Sequence, residues 1–135
     1  MKSGGKTSKS FAEMIDFYPT LAELCDLPAP QNLSGRSLVP TLKDPSVMTR
    51  KSAFTQYDVG YSLRIERYRY SAWGEDGKLG VELYDRVSDP DELVNLAGQT
   101  QVAETEARLK KLWLQRVELA RKVPAKLKQV PRAQR

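Results

Sequence analysis

Between residues 53 and 85, short runs of β-forming residues are separated by turn-forming residues. The runs Ala53–Tyr57, Tyr61–Glu66 and Tyr68–Trp73 follow one another closely, and the last two partly alternate in polarity and are rich in tyrosine. Gly74–Gly77 predicts a turn, after which Val81–Asp85 predicts a further strand. Because connections this short join antiparallel neighbours, we expect an antiparallel sheet of about four strands.

From about residue 102 the apolar positions recur at spacings of three and four, which predicts an amphipathic helix. Pro124 is expected to end this helix, because proline cannot donate the backbone hydrogen bond that continues it. One helix packed on a small antiparallel sheet is an α+β fold, and burial of the helix stripe is its evident source of stability. The predicted stripe consists of Leu109, Leu112, Trp113, Val117 and Ala120.

The segment Phe11–Cys25 allows two interpretations. One is a single helix that begins with a capping box at Ser10 and Glu13, but it places Pro19 deep in the helix, at a cost of about 3 kcal/mol. The other is a short strand over residues 11–15 and a helix capped by Asp16, so that Pro19 falls in the tolerated first turn. We prefer the second interpretation.

Residues 28–50 contain a high density of residues that interrupt helices and strands, which predicts an ordered surface loop. These residues are Pro28, Pro30, Asn32, Gly35 and Pro40.

The length of 135 residues with 40% apolar content suffices for one modest domain. The net charge of +5 is concentrated at the two ends, since residues 11–120 carry a net charge of −4. Solvated tails explain this distribution better than a nucleic-acid interface, because Glu66 interrupts the arginines of the strand region. No apolar run is long enough for a membrane span, and the first ten residues have no secretory-signal character.

Few residues in the chain are suited to catalysis or metal binding. There is no histidine and one cysteine, Cys25, which we expect to be a small buried apolar residue at the end of a helix. Gly5-Lys6-Thr7 lacks the upstream glycine and strand of a phosphate-binding loop. Asp89–Glu92 is acidic, but Pro90 makes it a turn rather than a calcium loop, which needs more oxygen ligands at regular spacing.

Several short motifs occur in a particular order along the chain, and they cover roughly residues 11–115. These are DFYPTL at 16–21, LSGRSLVP at 33–40, LKDP at 42–45, GYSLRIERYRY at 60–70, ELYD at 82–85, DP at 89–90 and NL at 95–96. In this order and spacing they resemble the closing portion of sulfatases of the iduronate-2-sulfatase-like group.

The resemblance implies the small C-terminal subdomain of an alkaline-phosphatase-like sulfatase, with an N-terminal sulfatase domain as its partner. In that family a formylglycine, made from the motif C/S-x-P/A-x-R, attacks sulfur, and a divalent cation, usually calcium, is bound nearby. Both groups are expected only in the intact family enzyme, since Cys25-Asp-Leu-Pro-Ala29 departs from the motif. The resemblance therefore assigns no catalytic residue and no metal ligand to this chain, which we expect to be inactive alone.

What the resemblance can transfer is a substrate-facing rim. Gln56 and Tyr57 stand at the "Q-Y" of the family, and Arg64 closes its G-Y-S-hydrophobic-R strand. These three residues are the candidates that help to shape a pocket for a sulfated sugar. The alternative function is a stand-alone module that binds sulfated glycans.

The same resemblance divides the chain into five parts. Residues 11–27 correspond to a strand and helix of the large domain, so the apolar side chains of Ile15, Leu21 and Leu24 are expected to lack their usual partner. The parts are a flexible basic segment at 1–10, the strand-helix remnant at 11–27, the loop at 28–50, the sulfatase C-terminal subdomain at 51–123 and a basic tail at 124–135.

Overall fold

The computed structural model describes residues 4–122, and its central element is a four-stranded antiparallel sheet with the strand order β1-β2-β3-β4. The predicted α+β class and the sheet of four strands with a C-terminal helix are confirmed. The strands are β1 (Ala53–Tyr57), β2 (Gly60–Arg64), β3 (Tyr68–Trp73) and β4 (Gly80–Asp85). The α-helices among the described residues are α1 (Phe17–Leu24), α2 (Val39–Lys43) and α3 (Ala103–Arg121).

The strand boundaries follow the sequence pattern closely. β1 and β3 have the predicted bounds, and β4 begins one residue before Val81. β2 ends at Arg64 rather than at Glu66, because Ile65 N donates to Tyr68 O at 2.9 Å and closes a tight turn that leaves Glu66 exposed. All three pairs of neighbouring strands are antiparallel, as the short connections between them require.

Helix α3 packs on one face of the sheet and supplies the centre of the core. The Trp113 indole Nε1 donates to the Tyr61 carbonyl at 3.0 Å, and its ring meets the rings of Tyr61 and Tyr70 edge-on, with centroids 6.1 Å apart in each case. Edge-to-face contacts of this kind add to the stabilisation from area burial. The buried core consists of Tyr61, Leu63, Tyr70, Ala72, Leu83, Leu109, Trp113 and Val117.

The opposite side of the sheet, called the open face below, carries polar side chains. Because side chains alternate along a strand, it is formed by the residues between the core positions. Ser71 Oγ donates to Ser62 Oγ at 2.8 Å at its centre, and Arg64 lies directly opposite Arg69 in the β2–β3 register.

The predicted helix stripe is only partly correct. Leu109, Trp113 and Val117, spaced four apart, are buried, whereas Leu112 is 37% exposed and Ala120 is exposed. The sheet therefore covers only part of the predicted apolar stripe of α3. The predicted stop at Pro124 and the basic tail at 124–135 lie outside the described residues, and the helix itself ends at Arg121.

The predicted strand over residues 11–15 is wrong. Residues 11–13 form no regular element, and Met14–Asp16 form a single turn of 3-10 helix that leads directly into α1. The Asp16 carboxylate causes this bend, because its Oδ2 accepts the Glu13 backbone N–H at 2.8 Å and the extended backbone cannot continue. Asp16 stands at the predicted N-cap position of α1, although its carboxylate makes no capping bond to that helix.

Helix α1 is covered on one narrow side only, with Thr20 and Ala22 buried. Ile15, Leu21 and Leu24 are 50%, 60% and 45% exposed, which agrees with the expectation that they lack a partner. The prediction that Cys25 is buried is wrong, because the helix ends at Leu24 and leaves the cysteine exposed.

Two residues of the segment 1–10, which we expect to be flexible, form hydrogen bonds to the loop that precedes β1. Ser8 Oγ donates to the Pro45 carbonyl at 2.7 Å, and Ser10 Oγ accepts the backbone N–H of Thr49 at 3.0 Å. Within residues 4–122, no helix is long and apolar enough to cross a membrane.

Candidate functional site

Gln56 and Tyr57 lie at the end of β1, where the chain turns into β2. Gln56 pairs with Tyr61 in the register, so it lies on the side of the sheet that α3 covers, and its Nε2 donates to the Asp58 carbonyl at 3.4 Å. Tyr57 projects from the open face and is 85% exposed. The two neighbouring candidates therefore point to opposite sides of the sheet.

Arg64 lies at the other end of the same hairpin. Tyr57 pairs with Gly60, and Arg64 is four residues further along β2, which separates their backbones by about 13 Å. The structure places Tyr57 and Arg64 on the same face but does not bring the three predicted rim residues into one pocket.

Arg64 belongs to a group of arginines that we call the arginine cluster, formed by Arg64, Arg69 and Arg86 around Glu92. Glu92 Oε2 lies 3.0 Å from Arg69 Nη1, and Glu92 Oε1 accepts a short hydrogen bond from Arg86. Burial, together with the neighbouring charges of Arg86 and Arg69, lowers the pKa of Arg64 below its usual value. The cluster therefore holds more positive than negative charge.

A groove of about 760 Å³ lies on the other side, between the N-terminal segment, β1 and the second half of α3. Gln56 lines its edge, and Arg36, Arg50 and Arg116 contribute guanidinium groups. The apolar part of its lining includes Met14, Ile15, Phe17, Phe54 and Leu119. Glu13 lines the groove as well, so the lining combines apolar side chains with charges of both signs.

The wall of this groove is built on a buried ion pair. Asp16 and Arg50 are 0% and 4% exposed, and the Arg50 guanidinium forms two bonds to the Asp16 carboxylate. Burial alone would raise the pKa of Asp16, but the Arg50 hydrogen bonds and the backbone N–H donors of Arg36 and Glu13 hold that pKa below its usual value. The carboxylate is therefore charged and fully engaged.

Glu13 extends this network to the sheet and to α3. Its Oε1 accepts the Phe54 backbone N–H at 3.1 Å and lies 2.8 Å from Arg116 Nη2. The Arg116 guanidinium also lies over the Phe54 ring, 5.5 Å from its centroid. The N-terminal segment is thus joined to both layers of the subdomain.

These charged networks were not predicted from the sequence. Asp16 and Arg50 are separated by 34 residues, and no spacing or motif indicates that they meet. Glu92 was assigned to a turn, but its ion pairs with Arg69 and Arg86 arise only from the sheet register and the fold of the loop after β4. The directly opposed pair Arg64 and Arg69 could have been recognised by drawing the predicted β2–β3 hairpin.

The acidic turn Asp89–Glu92 uses its carboxylates within the chain. Asp89 Oδ2 accepts the Val94 backbone N–H at 2.9 Å, and Glu92 pairs with two arginines. Among the described residues, no group of three or more histidine, cysteine, aspartate or glutamate side chains is arranged to hold a metal ion. Within residues 4–122, the carboxylates of Asp89 and Glu92 are therefore engaged in contacts of the chain itself rather than grouped as metal ligands.

Comparisons with known proteins agree on one family. Residues 1–119 match the model of "N-sulphoglucosamine sulphohydrolase, C-terminal". Arylsulfatase K of Xenopus laevis is 32% identical over 126 residues, which cover 82% of this chain and 24% of that protein. The chain thus spans about a quarter of the length of this curated relative.

Solved structures contain the same fold. A 2-O GAG sulfatase superposes with a TM-score of 0.67 at 28% identity, over 79% of this chain and 25% of the other. A phosphonate monoester hydrolase of Agrobacterium radiobacter superposes with a TM-score of 0.65 at 25% identity, over 86% of this chain and 27% of the other. The family match covers most of the chain, and the chain therefore belongs to the N-sulphoglucosamine sulphohydrolase C-terminal family, the C-terminal region of sulfatases.

Proposed function

We propose that this chain is the non-catalytic C-terminal part of a sulfatase that hydrolyses sulfate esters of sulfated sugars, and that it is inactive alone. The formylglycine nucleophile and the calcium ion would be held by the N-terminal sulfatase domain. Membership of the family supports this assignment, as does the match to only about a quarter of the length of the relatives.

The observation that carries the proposal is the exposed apolar surface of the N-terminal segment. Met14, Phe17 and Leu21 are 78%, 50% and 60% exposed, and they lie within five residues of the buried Asp16. A contiguous apolar surface on a well-anchored segment marks an interaction site. The N-terminal sulfatase domain is the partner that the family supplies for this surface.

The finer assignment is an iduronate-2-sulfatase-like enzyme that acts on a glycosaminoglycan. It is supported by the order of the motifs between residues 16 and 96 and by the likeness to a 2-O GAG sulfatase. The likeness to a phosphonate monoester hydrolase shows that the subdomain fold occurs with more than one kind of ester substrate. The choice of ester therefore depends on the assembled site.

Gln56, Tyr57 and Arg64 are proposed to contribute to the substrate rim from separate places. Gln56 lies at the edge of the groove, and Tyr57 extends from the hairpin tip with most of its surface free. Arg64 provides positive charge on the open face. A substrate that reached all three would have to pass around the edge of the sheet at β1.

Two measurements test this function. The purified 135-residue chain should release no sulfate from a sulfated glycosaminoglycan disaccharide, and turnover by the chain alone would refute the assignment as a non-catalytic part. In an active sulfatase whose C-terminal region has been replaced by this chain, the double change Gln56→Ala and Tyr57→Ala should lower kcat/KM at least about tenfold. Unchanged kcat/KM would remove these two residues from the rim.

A further inference from the structure

The arginine cluster has a charge imbalance that its own contacts do not relieve. Three guanidinium groups, those of Arg64, Arg69 and Arg86, surround the single carboxylate of Glu92. Glu92 lies 3.0 Å from Arg69 and is bonded to Arg86, whereas Arg64 has no carboxylate partner among the ion pairs of residues 4–122. The carboxylates of Glu82 and Asp89 lie near Tyr84, the residue opposite Arg69, but neither forms an ion pair with Arg64.

Arg64 is held in this position at a cost. It lies directly opposite Arg69 in the β2–β3 register, and like charges at opposed positions destabilise a sheet. Its Nε is buried and has no hydrogen-bond partner within the described part of the chain. Phe11 covers one side of the guanidinium, with the ring centroid 5.7 Å from Cζ, and so restricts its orientation. The Nε of Arg116 also has no hydrogen-bond partner, but Arg116 is ion-paired with Glu13, whereas the Arg64 guanidinium has no ion pair within residues 4–122.

We propose that the arginine cluster binds an oxyanion group, a sulfate or a carboxylate, that is carried by a saccharide. The planar guanidinium groups can each pair with two oxygens of such an anion. Arg64 supplies a guanidinium without an ion pair, and Arg69 and Arg86, which share Glu92, lie beside it. The binding of one anion would give the Arg64 guanidinium the charged partner that it lacks within residues 4–122.

The rest of the open face favours a saccharide over an acidic peptide. The Trp73 indole extends over Gly60, where an added Cβ would lie 2.5 Å from the indole Nε1, and approaches Gly80 on the far strand. The ring therefore lies along the sheet and presents a flat aromatic surface, which suits the apolar face of a sugar ring. Trp73 is four residues from Arg69 along β3, about 13 Å away, and the hydroxyl groups of Ser62 and Ser71 lie between them.

This inference rests on the proposed function, because it takes the ligand from the class of sugars that a sulfatase would bind. It adds Arg69, Arg86 and Trp73 to the three proposed rim residues. It also places a second anion subsite away from the groove that Gln56 lines. An oligosaccharide substrate carries several anionic groups, of which one is hydrolysed. The arginine cluster would hold a group that is not hydrolysed.

The test is calorimetric titration of the full 135-residue chain with a sulfated heparin tetrasaccharide at physiological ionic strength. Arg64→Gln should weaken binding at least about tenfold, because it removes charge-assisted hydrogen bonds. The matched control Arg108→Gln removes an exposed arginine of α3, on the other side of the sheet, and should leave the affinity unchanged. Glu92→Gln should tighten binding, since it removes the competing carboxylate, a result that unfolding cannot imitate.

Two further probes identify the ligand. A desulfated tetrasaccharide that keeps its uronate carboxylates should bind if the carboxylate is recognised and should not bind if the sulfate is. Absence of tetrasaccharide binding, or equal affinity for the wild-type and Arg64→Gln chains, would overturn the proposal. Equal binding of a tetraglutamate peptide with the same sensitivity to Arg64→Gln would also overturn it, in favour of an acidic protein surface. Since none of these measurements needs turnover, their failure is distinct from a failure of the sulfatase assignment.

Discussion

Arg50 holds the carboxylate of Asp16 through two parallel hydrogen bonds, from Nε to Oδ2 at 2.7 Å and from Nη2 to Oδ1 at 2.5 Å. Both side chains are almost fully buried, and the pair joins the start of α1 to the residue that precedes β1 by three positions. This contact fixes the exposed apolar residues Met14, Phe17 and Leu21 relative to the sheet. It is the contact on which the geometry of the proposed interface depends.

Asp16→Asn should destabilise the chain by about 3 kcal/mol, because it removes the buried carboxylate that accepts two hydrogen bonds from Arg50 and leaves Glu13, 3.4 Å from Arg50 Nη1, as the remaining counter-ion. Urea unfolding followed by circular dichroism measures the loss. The control is Lys78→Gln, which breaks an exposed pair with Glu75 and should cost less than about 0.5 kcal/mol. Equal losses for the two variants would show that the buried pair is not a major anchor.

Stability should fall in acid because of Asp85. Its pKa is lowered to about 2, chiefly by the hydrogen bonds from Arg67 and with help from the Val87 backbone N–H. A carboxyl whose folded pKa is depressed stabilises the fold above its unfolded pKa, about 3.9, and loses that contribution as the pH falls towards about 2. At neutral pH the urea midpoint of the wild-type chain should therefore be higher than that of Asp85→Asn. The two midpoints should converge as the pH falls from about 3.9 towards about 2. A constant difference down to about pH 2 would contradict the assigned ion pair.

Replacement of Leu112 in helix α3 by alanine should destabilise the chain far less than replacement of Trp113 by alanine. Trp113→Ala removes a side chain that is 1% exposed, together with its bond to the Tyr61 carbonyl, and should cost about 3–5 kcal/mol. Leu112→Ala removes a side chain that is 37% exposed and should cost less than about 1 kcal/mol. Similar losses of unfolding free energy for the two variants, measured with urea, would mean that α3 packs on the sheet through a different face.

The apolar surface of α1 should cause the isolated chain to self-associate. Phe17 and Leu21 are half or more exposed on adjacent turns, and their contact with a second apolar surface would be favourable in water. The double change Phe17→Ser and Leu21→Ser should shift the chain towards monomer in sedimentation velocity. The change Val87→Ser, at an exposed apolar site after β4, is the control and should have no effect. A wild-type chain that stays monomeric at high concentration would contradict this prediction.

Local patterns predicted the sheet well, because strand type and turn chemistry are encoded within a few residues. β1 and β3 were predicted to the residue, and the end of β2 was missed only because the Ile65–Tyr68 hydrogen bond tightens the turn. The strand over residues 11–15 was wrong for a different reason. The Asp16 carboxylate accepts the Glu13 backbone N–H at this bend, and its two oxygens are held in place by Arg50, which is 34 residues away in sequence.

The candidate site shows the same limit. Gln56, Tyr57 and Arg64 were selected from a motif, and the motif gives their order but not the face of the sheet from which each projects. That Gln56 and Tyr57 diverge follows from strand alternation, once the bounds of β1 are known. That Arg86 and Glu92 lie near Arg64 depends on the fold of the loop after β4, which no local sequence pattern predicts.

The central claim is that this chain completes a sulfatase without performing its chemistry. The most direct test replaces the C-terminal region of the 2-O GAG sulfatase with residues 4–122 and measures the release of sulfate from its glycosaminoglycan substrate. We expect the chimaera to hydrolyse the ester and to lose activity when Asp16→Asn disrupts the anchored segment. A folded chimaera that binds substrate but releases no sulfate would contradict the claim.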